Sequence, residues 1–307
     1  MKKIEKLFKS LSLSAAITGV ALFSSCGPRA SKNNPLAGNN QAIMGGNVAN
    51  ESFQKQNGIV GLLLEVERQD LGGAPVTSQG ICTGVLIAKR WVLTAGHCVR
   101  DKGLKKIIVI FDSNFRNAVR AHNFVFGALA IANKSYNPTE QFGAFSDLHP
   151  WNDIALVSLT EDAPSAFNVA PLPTTKDVEL LNADAKLTLA GFGVTDFNMT
   201  EHGNDKSMHD SAGILRSVSH IVINDVTIDN KEIVIDQENG ARGACHGDSG
   251  GPAYLEEADG KLVLIGITSR GTNLNGNCDR ENVLTNVFGH LDWINKQIHR
   301  KVKRPAH

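Results

Sequence analysis

Short apolar runs recur along the chain from residue 43 onward, and clusters of turn residues separate them. The runs are four to eight residues long and rich in Val, Ile and Leu, with Gly, Asn, Asp and Pro between them. This pattern predicts β-strands rather than helices. The predicted strands are residues 59–66, 84–88, 91–95, 107–111, 154–159, 187–190, 217–223, 262–268 and 283–287.

Helical periodicity is clear only at the end, where residues 288–300 space their apolar positions at helical intervals and place basic residues in the last turn. A Pro-rich stretch, 164–173, predicts a linker between an N-terminal half, about 43–163, and a C-terminal half, about 174–287. Three polar segments are predicted to be surface insertions: 69–79, 139–149 and 196–211.

The first 42 residues follow a different pattern. Basic residues precede an apolar run, 11–23, which is shorter than the ~20 residues that a spanning helix needs, so it predicts a secretory signal. The alternative is an amphipathic helix of the fold. Small residues before Cys26 resemble a bacterial lipoprotein signal, in which Cys26 would become the acylated N-terminus. Phe23 departs from the Leu usual there, and ordinary cleavage, for instance after Ala30, is the alternative.

Residues 27–42 are polar and rich in Asn, Gly and Pro, so they are predicted to be a tether or propeptide that follows the signal, 1–26. Export permits disulfides in the rest of the chain. Five cysteines cannot all pair with one another, so one of them needs a separate explanation.

The formal net charge of zero conceals two unequal parts. Residues 1–42 carry six basic groups and one acidic group, which leaves 25 basic and 30 acidic groups in the remainder. A net charge of −5 on the body argues against nucleic-acid binding. The ten His are scattered without ligand-like spacing, so neither a metal nor another cofactor is expected.

Three segments carry candidate chemistry. They are Trp-Val-Leu-Thr-Ala-Gly-His-Cys, which contains His97, Asn-Asp-Ile-Ala-Leu, which contains Asp153, and Cys-His-Gly-Asp-Ser-Gly-Gly-Pro, which contains Ser249. Alone, each also fits a structural role: a solvated imidazole, a cap and a surface turn. Together they supply a nucleophile, a base that activates it and a carboxylate that orients the base.

The segment around Ser249 also fits the Gly-x-Ser-x-Gly elbow of α/β-hydrolases. That fold needs a strand before the serine and a helix after it, whereas a polar loop precedes Ser249 and Gly-Gly-Pro follows it. It also needs the Asp and His after the serine, but here both come before it. The context therefore argues against this alternative.

The three segments, in the order His97, Asp153, Ser249, resemble the triad motifs of the trypsin/chymotrypsin family of serine proteases. Further matches extend the resemblance to about residues 43–300: 43–46 is similar to the mature N-terminus, 190–193 to a Gly-aromatic-Gly motif, 266–271 to the substrate-lining strand, and 293–294 to the terminal helix. The resemblance implies an all-β peptidase domain, 43–307, with two six-stranded antiparallel β-barrels packed together and a C-terminal α-helix.

The same resemblance implies a role for each site residue. His97, Asp153 and Ser249 would be catalytic, and the N–H groups of Gly247 and Ser249 would form the oxyanion hole. Ser269 would help to hold Asp153. Cleavage after Ala42 would free the α-amino group of Ile43 to pair with Asp248, although Ile43 could instead merely begin a strand.

In the substrate pocket, Gly243 would form the floor, with Gly271 and Asn282 as walls. A floor without an acidic group argues against Lys or Arg specificity and favours small or medium uncharged residues. Arg270 and His246 would favour acidic residues beside the scissile bond, unless both face solvent.

The resemblance also pairs four cysteines, Cys82 with Cys98 and Cys245 with Cys278, which leaves Cys26 for lipid. The expected protein is a monomeric serine endopeptidase that acts on proteins or peptides, with no nucleic-acid partner. It would be secreted, or tethered to the cell envelope and membrane through Cys26 until cleavage. The alternative is a catalytically weak homologue that serves as a secreted binding module.

Overall fold

The structure of the chain is a computed structural model. It describes residues 43–70, 72–136, 152–182, 185–195, 211–226, 231–237, 241–273 and 278–299. The predicted signal, the tether, Cys26, the insertion 139–149 and most of the insertion 196–211 lie outside these residues. Within the described ranges, no helix has the length and apolar character that crossing a membrane requires.

Six strands of the N-terminal half form a closed antiparallel barrel in the order β2-β3-β4-β7-β6-β5. Side chains of these strands, among them Ile59, Leu62, Leu93 and Leu156, are completely buried. The strands are β2 Ile59–Gln69, β3 Pro75–Ala88, β4 Trp91–Thr94, β5 Leu104–Ile110, β6 Phe124–Ala132 and β7 Ala155–Leu159.

The C-terminal half forms a second six-stranded antiparallel barrel, which runs β9-β10-β13-β12-β11-β8 and closes through pairing of β8 with β9. Its core contains the fully buried Leu187, Ile221, Ile233 and Ile265. The strands are β8 Lys186–Gly191, β9 Arg216–Val226, β10 Glu232–Ile235, β11 Pro252–Glu256, β12 Leu262–Gly271 and β13 Asn282–Asn286. The predicted pair of barrels is therefore confirmed.

The start of the described chain joins the second barrel rather than the first. Strand β1, Asn47–Val48, pairs with β9 opposite Ser217 and Arg216. Ile43 is completely buried in the second core, where it lies with aliphatic side chains of β8 and β9. The predicted N-terminal half, about 43–163, therefore includes a short first segment that packs on the second barrel. Burial of Ile43 and pairing of β1 with β9 hold this segment there.

The segment 69–79, predicted to be a surface insertion, is largely the outer end of a long hairpin. Strands β2 and β3 pair as far as Gln69 opposite Pro75. Side chains at this end are mostly exposed on both strands, so the apolar alternation that identifies a half-buried strand is missing. The prediction of an insertion was therefore wrong at its strand residues.

Five helices accompany the barrels in the described part of the chain, and four of them were not predicted. They have at most eight residues, so periodicity gives little signal. Asn50 and Asn114 accept hydrogen bonds from the first turns of α1 and α3. The helices are α1 Glu51–Gln56, α2 Gly96–Val99, α3 Phe115–Ala121, α4 Thr175–Glu179 and α5 Leu291–Ile298, the last preceded by a 3-10 turn, Phe288–His290.

Candidate active site

His97 lies in α2, directly after β4 of the first barrel. The disulfide between Cys82 on β3 and the neighbouring Cys98 ties this short helix to the barrel wall. The imidazole remains partly accessible, with 28% of the side chain exposed. A rigid turn therefore presents the ring where a substrate could reach it.

Asp153 precedes β7 and is completely buried. Its Oδ2 lies 2.7 Å from His97 Nδ1 and also accepts a 2.7 Å hydrogen bond from Ser269 Oγ. Its Oδ1 accepts from the backbone N–H of His97 at 2.8 Å. Thr285 Oγ1 donates to the backbone carbonyl of Asp153 at 2.9 Å. Because Ser269 and Thr285 come from β12 and β13, the second barrel holds this residue of the first.

The pairing changes the acidity of both partners. Burial disfavours the His97 cation, but the charge and hydrogen bond of Asp153 outweigh burial and raise the pKa of His97 above its usual value. Burial would likewise raise the pKa of Asp153, but His97 and the hydrogen bond from Ser269 lower it. The arrangement therefore favours an ionised carboxylate beside an imidazole that gains a proton readily.

Ser249 follows a tight loop after Cys245, and groups of the first barrel contact its backbone carbonyl oxygen. Thr83 N donates to Ser249 O at 2.8 Å, and the same oxygen lies 3.6 Å from Cys98 Sγ. Ser249 is therefore held against the disulfide adjacent to His97. Within the described residues, Ser249 Oγ and His97 Nε2 form no hydrogen bond with each other. Such catalytic hydrogen bonds are often long in the absence of substrate.

Gly247 shapes the loop before Ser249. Its φ of 96° suits glycine, and a Cβ there would lie only 2.7 Å from Gly193 Cα. Thr83 Oγ1 donates to Gly247 O at 3.0 Å and so fixes the orientation of the peptide. In the described part of the chain, the N–H groups of Gly247 and Ser249 donate to no other group. Both N–H groups are thus available to an anionic oxygen.

Asp248 is completely buried between these two residues. Its oxygens accept hydrogen bonds from the backbone N–H groups of Cys245 and Gly193, both at 2.8 Å. Burial nonetheless raises the pKa of Asp248 to about 7, although these hydrogen bonds and the charge of Arg216 act in the opposite direction. The carboxylate therefore lacks full compensation in the intact chain.

A family model described as Trypsin matches residues 69–294 of the chain. This range contains the whole constellation just described. The chain belongs to the trypsin family.

Individual relatives agree with this trypsin-family assignment. CLIP domain-containing serine protease B15 of Anopheles gambiae is 31% identical over 224 residues, which cover 69% of this chain and 60% of that protein. Atrial natriuretic peptide-converting enzyme of Homo sapiens is 29% identical over 230 residues, 71% of this chain and 20% of that protein. The chain thus spans 60% and 20% of the lengths of these two relatives, both animal proteins, which lend no support to a bacterial origin.

Among solved structures, that of HL collagenase superposes with a TM-score of 0.61 and 22% sequence identity, over 85% of this chain and all of that one. At this level of identity the likeness shows the trypsin-like fold alone.

The two disulfides that the family resemblance implied are both present, Cys82–Cys98 and Cys245–Cys278. Each lies beside a histidine, His97 or His246, at distances that would suit a metal site. All four sulfurs are already bonded in disulfides, so these two groups offer no thiolate ligand.

The predicted pocket residues lie on three neighbouring segments. Gly271 on β12 pairs directly with Asn282 on β13, and Gly243 lies in the loop that leads to Cys245. Asn282 is buried, and within the described chain its Oδ1 has no hydrogen-bond partner. His246 is exposed.

Arg270 forms an ion pair with Glu232, a residue that the sequence analysis did not identify. Its two terminal nitrogens donate to the two carboxylate oxygens of the buried Glu232, at 2.7 and 3.1 Å. Such a bidentate pair neutralises most of the charge that Arg270 could offer to a substrate. Glu232 is separated from Arg270 by 38 residues and meets it only through folding, so no local motif identifies it.

Proposed function

We propose that the chain is a serine endopeptidase in which Ser249, His97 and Asp153 act as nucleophile, general base and orienting carboxylate. The observation that carries the proposal is the 2.7 Å contact between Asp153 Oδ2 and His97 Nδ1, made by a carboxylate that is completely buried. This contact directs Nε2 away from the carboxylate and stabilises the imidazolium that forms during the reaction.

In the proposed mechanism, Ser249 Oγ attacks the peptide carbonyl carbon while His97 Nε2 accepts the hydroxyl proton. The carbonyl electron pair moves to oxygen, and the N–H groups of Gly247 and Ser249 bind the resulting anion. One such donor is worth about 3–4 kcal/mol in the transition state. Collapse breaks the C–N bond as His97 returns the proton to the amine. Water, deprotonated by His97, then releases the acyl group and restores Ser249.

The proposed specificity is for small or medium uncharged residues, with Gly243 as the pocket floor and Gly271 and Asn282 as walls. An uncharged floor offers no ion pair to Lys or Arg. Because Glu232 already pairs with Arg270, the exposed His246 is the better candidate for contact with acidic residues beside the scissile bond.

The proposed activation is cleavage between Ala42 and Ile43, after which the new ammonium pairs with Asp248. Three observations support it. Ile43 is completely buried in the second barrel. The adjacent Met44 accepts a 2.9 Å hydrogen bond at its carbonyl oxygen from Gly243 N. The pKa of about 7 at Asp248 indicates a carboxylate that a nearby cation would stabilise.

We further propose that residues 1–26 direct export and that Cys26 carries lipid. Residues 27–42 would then tether the domain until cleavage before Ile43 releases it. The two disulfides favour an oxidising compartment, in agreement with export.

Fluorophosphonate labelling of the chain before and after cleavage at Ile43 tests the proposed function. We expect Ser249 to be labelled, and peptides to be hydrolysed, only after cleavage. Ser249→Ala should remove both signals, whereas Ser165→Ala, a matched change at an exposed serine, should leave them intact. A cleaved, folded chain that binds peptides without labelling would contradict the proposal and favour the binding-module alternative.

A further inference from the structure

The side chain of Gln237 is held inside the loop that leads to Ser249. It is 1% exposed, and both ends of its carboxamide are occupied. Oε1 accepts a 2.7 Å hydrogen bond from Ala244 N, and Nε2 donates at 3.0 Å to Cys278 O. The amide therefore connects the two chain segments that the Cys245–Cys278 disulfide also joins.

Gln237 also occupies the space that a side chain at position 243 would need. A Cβ on Gly243 would lie 2.2 Å from Gln237 Oε1, 2.6 Å from Cδ and 2.8 Å from Cγ. A flexible exposed glutamine could move aside at little cost. This one is buried and would break two hydrogen bonds to do so, and the φ of 149° at Gly243 disfavours any other residue.

From these contacts we infer that Gln237 is a specificity-determining residue: its carboxamide takes the place of a position-243 side chain and makes the floor of the substrate pocket neutral. The inference rests on the proposed function, since it assumes that Gly243 faces the substrate. The structure thus assigns the rejection of Lys and Arg to a residue six positions before Gly243, and not only to the missing side chain of Gly243.

Gln237→Glu changes charge and hydrogen bonding while it keeps the size of the side chain. Ala244 N can still donate to the carboxylate, but Cys278 O loses its donor. We expect the ratio of kcat/KM for Lys peptides over Ala peptides to rise about 100-fold, because the floor becomes anionic. Gln56→Glu, the same change at an exposed glutamine, should leave the ratio unchanged. The ratio is the decisive measurement, since general damage to the loop would lower both rates together.

A double variant provides the complementary test. Gly243→Asp alone should not produce Lys or Arg cleavage, because Gln237 blocks the new side chain. Gly243→Asp combined with Gln237→Ala should produce it, because the clash with Gln237 is then removed and only the backbone strain at position 243 remains.

Fluorophosphonate labelling of the cleaved wild-type chain distinguishes failure of this inference from failure of the proposed function. If the cleaved wild-type chain is not labelled, the proposed endopeptidase function is contradicted. If the wild-type chain labels, three results would overturn the inference: an unchanged ratio in Gln237→Glu, Arg cleavage by Gly243→Asp alone, or loss of labelling in every Gln237 variant while Gln56→Glu still labels. The last of these would mean that Gln237 holds the fold and does not select the substrate.

Discussion

The surroundings of Asp153 and Asp248 compensate a buried carboxylate in two different ways. Asp153 receives three hydrogen bonds, one of them from an imidazole that can carry positive charge, and its pKa is lowered. Asp248 is equally buried but receives only two backbone N–H groups, and its pKa rises to about 7. The pair at His97 is therefore complete in the intact chain, whereas Asp248, next to Ser249, feels the charge of Arg216 but has no ion-pair contact with a cation among the described residues.

The largest effect should come from removing the charge at Asp153. We expect Asp153→Asn to lower kcat by about 10⁴-fold, since an amide no longer holds His97 in the tautomer that accepts a proton at Nε2. Steady-state hydrolysis at pH 7 measures this loss, and circular dichroism checks that the fold survives. A folded Asp153→Asn variant with a kcat within tenfold of the wild-type value would contradict the role proposed for Asp153.

A smaller effect should appear in the pH dependence of stability of the uncleaved chain. Below about pH 4, Asp248 carries a proton in both the folded and the unfolded state. Between about pH 4 and 7 only the folded state keeps that proton, so stability falls as pH rises, by at most ~1.4 kcal/mol per pH unit, and levels off above pH 7. Chemical denaturation across this range measures the slope.

Two comparisons isolate the contribution of Asp248 to that slope. Asp248→Asn should flatten it, because the amide does not titrate. Cleavage at Ile43 should also flatten it, since the new ammonium would favour ionised Asp248 in the folded state. If Asp248→Asn flattens the slope but the cleaved protein keeps the slope of the uncleaved chain, the assignment of Ile43 and Asp248 as the activation pair is contradicted.

The smallest effect is a displacement of the acid limb of the activity profile. Because Asp153 raises the pKa of His97, and His97 must be neutral to accept a proton, the rise of kcat/KM should be centred above the usual imidazole value of about 6.5. The rate of fluorophosphonate labelling should follow the same limb, which excludes ionisation of the peptide as its cause. A limb centred below pH 6 would contradict the pairing.

Local patterns in the sequence predicted the strands well where these are buried, whereas the arrangement of the strands in two barrels was implied by the family resemblance. Strands β4, β7 and β13 are buried at every residue and were all predicted. Strand β6 was missed because Gly and Ala interrupt its apolar side chains and most of them stay partly exposed. Strand β10 was missed because its apolar run has only three residues, 233–235, between two acidic ones.

Residues of the candidate site were predicted when they lie in a short motif and were missed when only folding brings their partners together. His97, Asp153 and Ser249 lie in motifs that can be read from a few neighbouring residues. Gln237 could not be identified in this way, because its partners are 7 and 41 residues away and its carboxamide has no motif of its own. Such residues become visible only when the loops that carry them are folded against each other.

The pairing of β1 with β9 has a consequence for how the chain folds during synthesis. The first barrel can close once Leu159 has left the ribosome, since all its strands are then available. Residues 43–48 must wait much longer, because their partners on β9 begin at Arg216. Contacts between distant parts of a chain form slowly. The segment that begins at Ile43, where activation cleavage is proposed, would therefore be among the last parts of the protein to find its place.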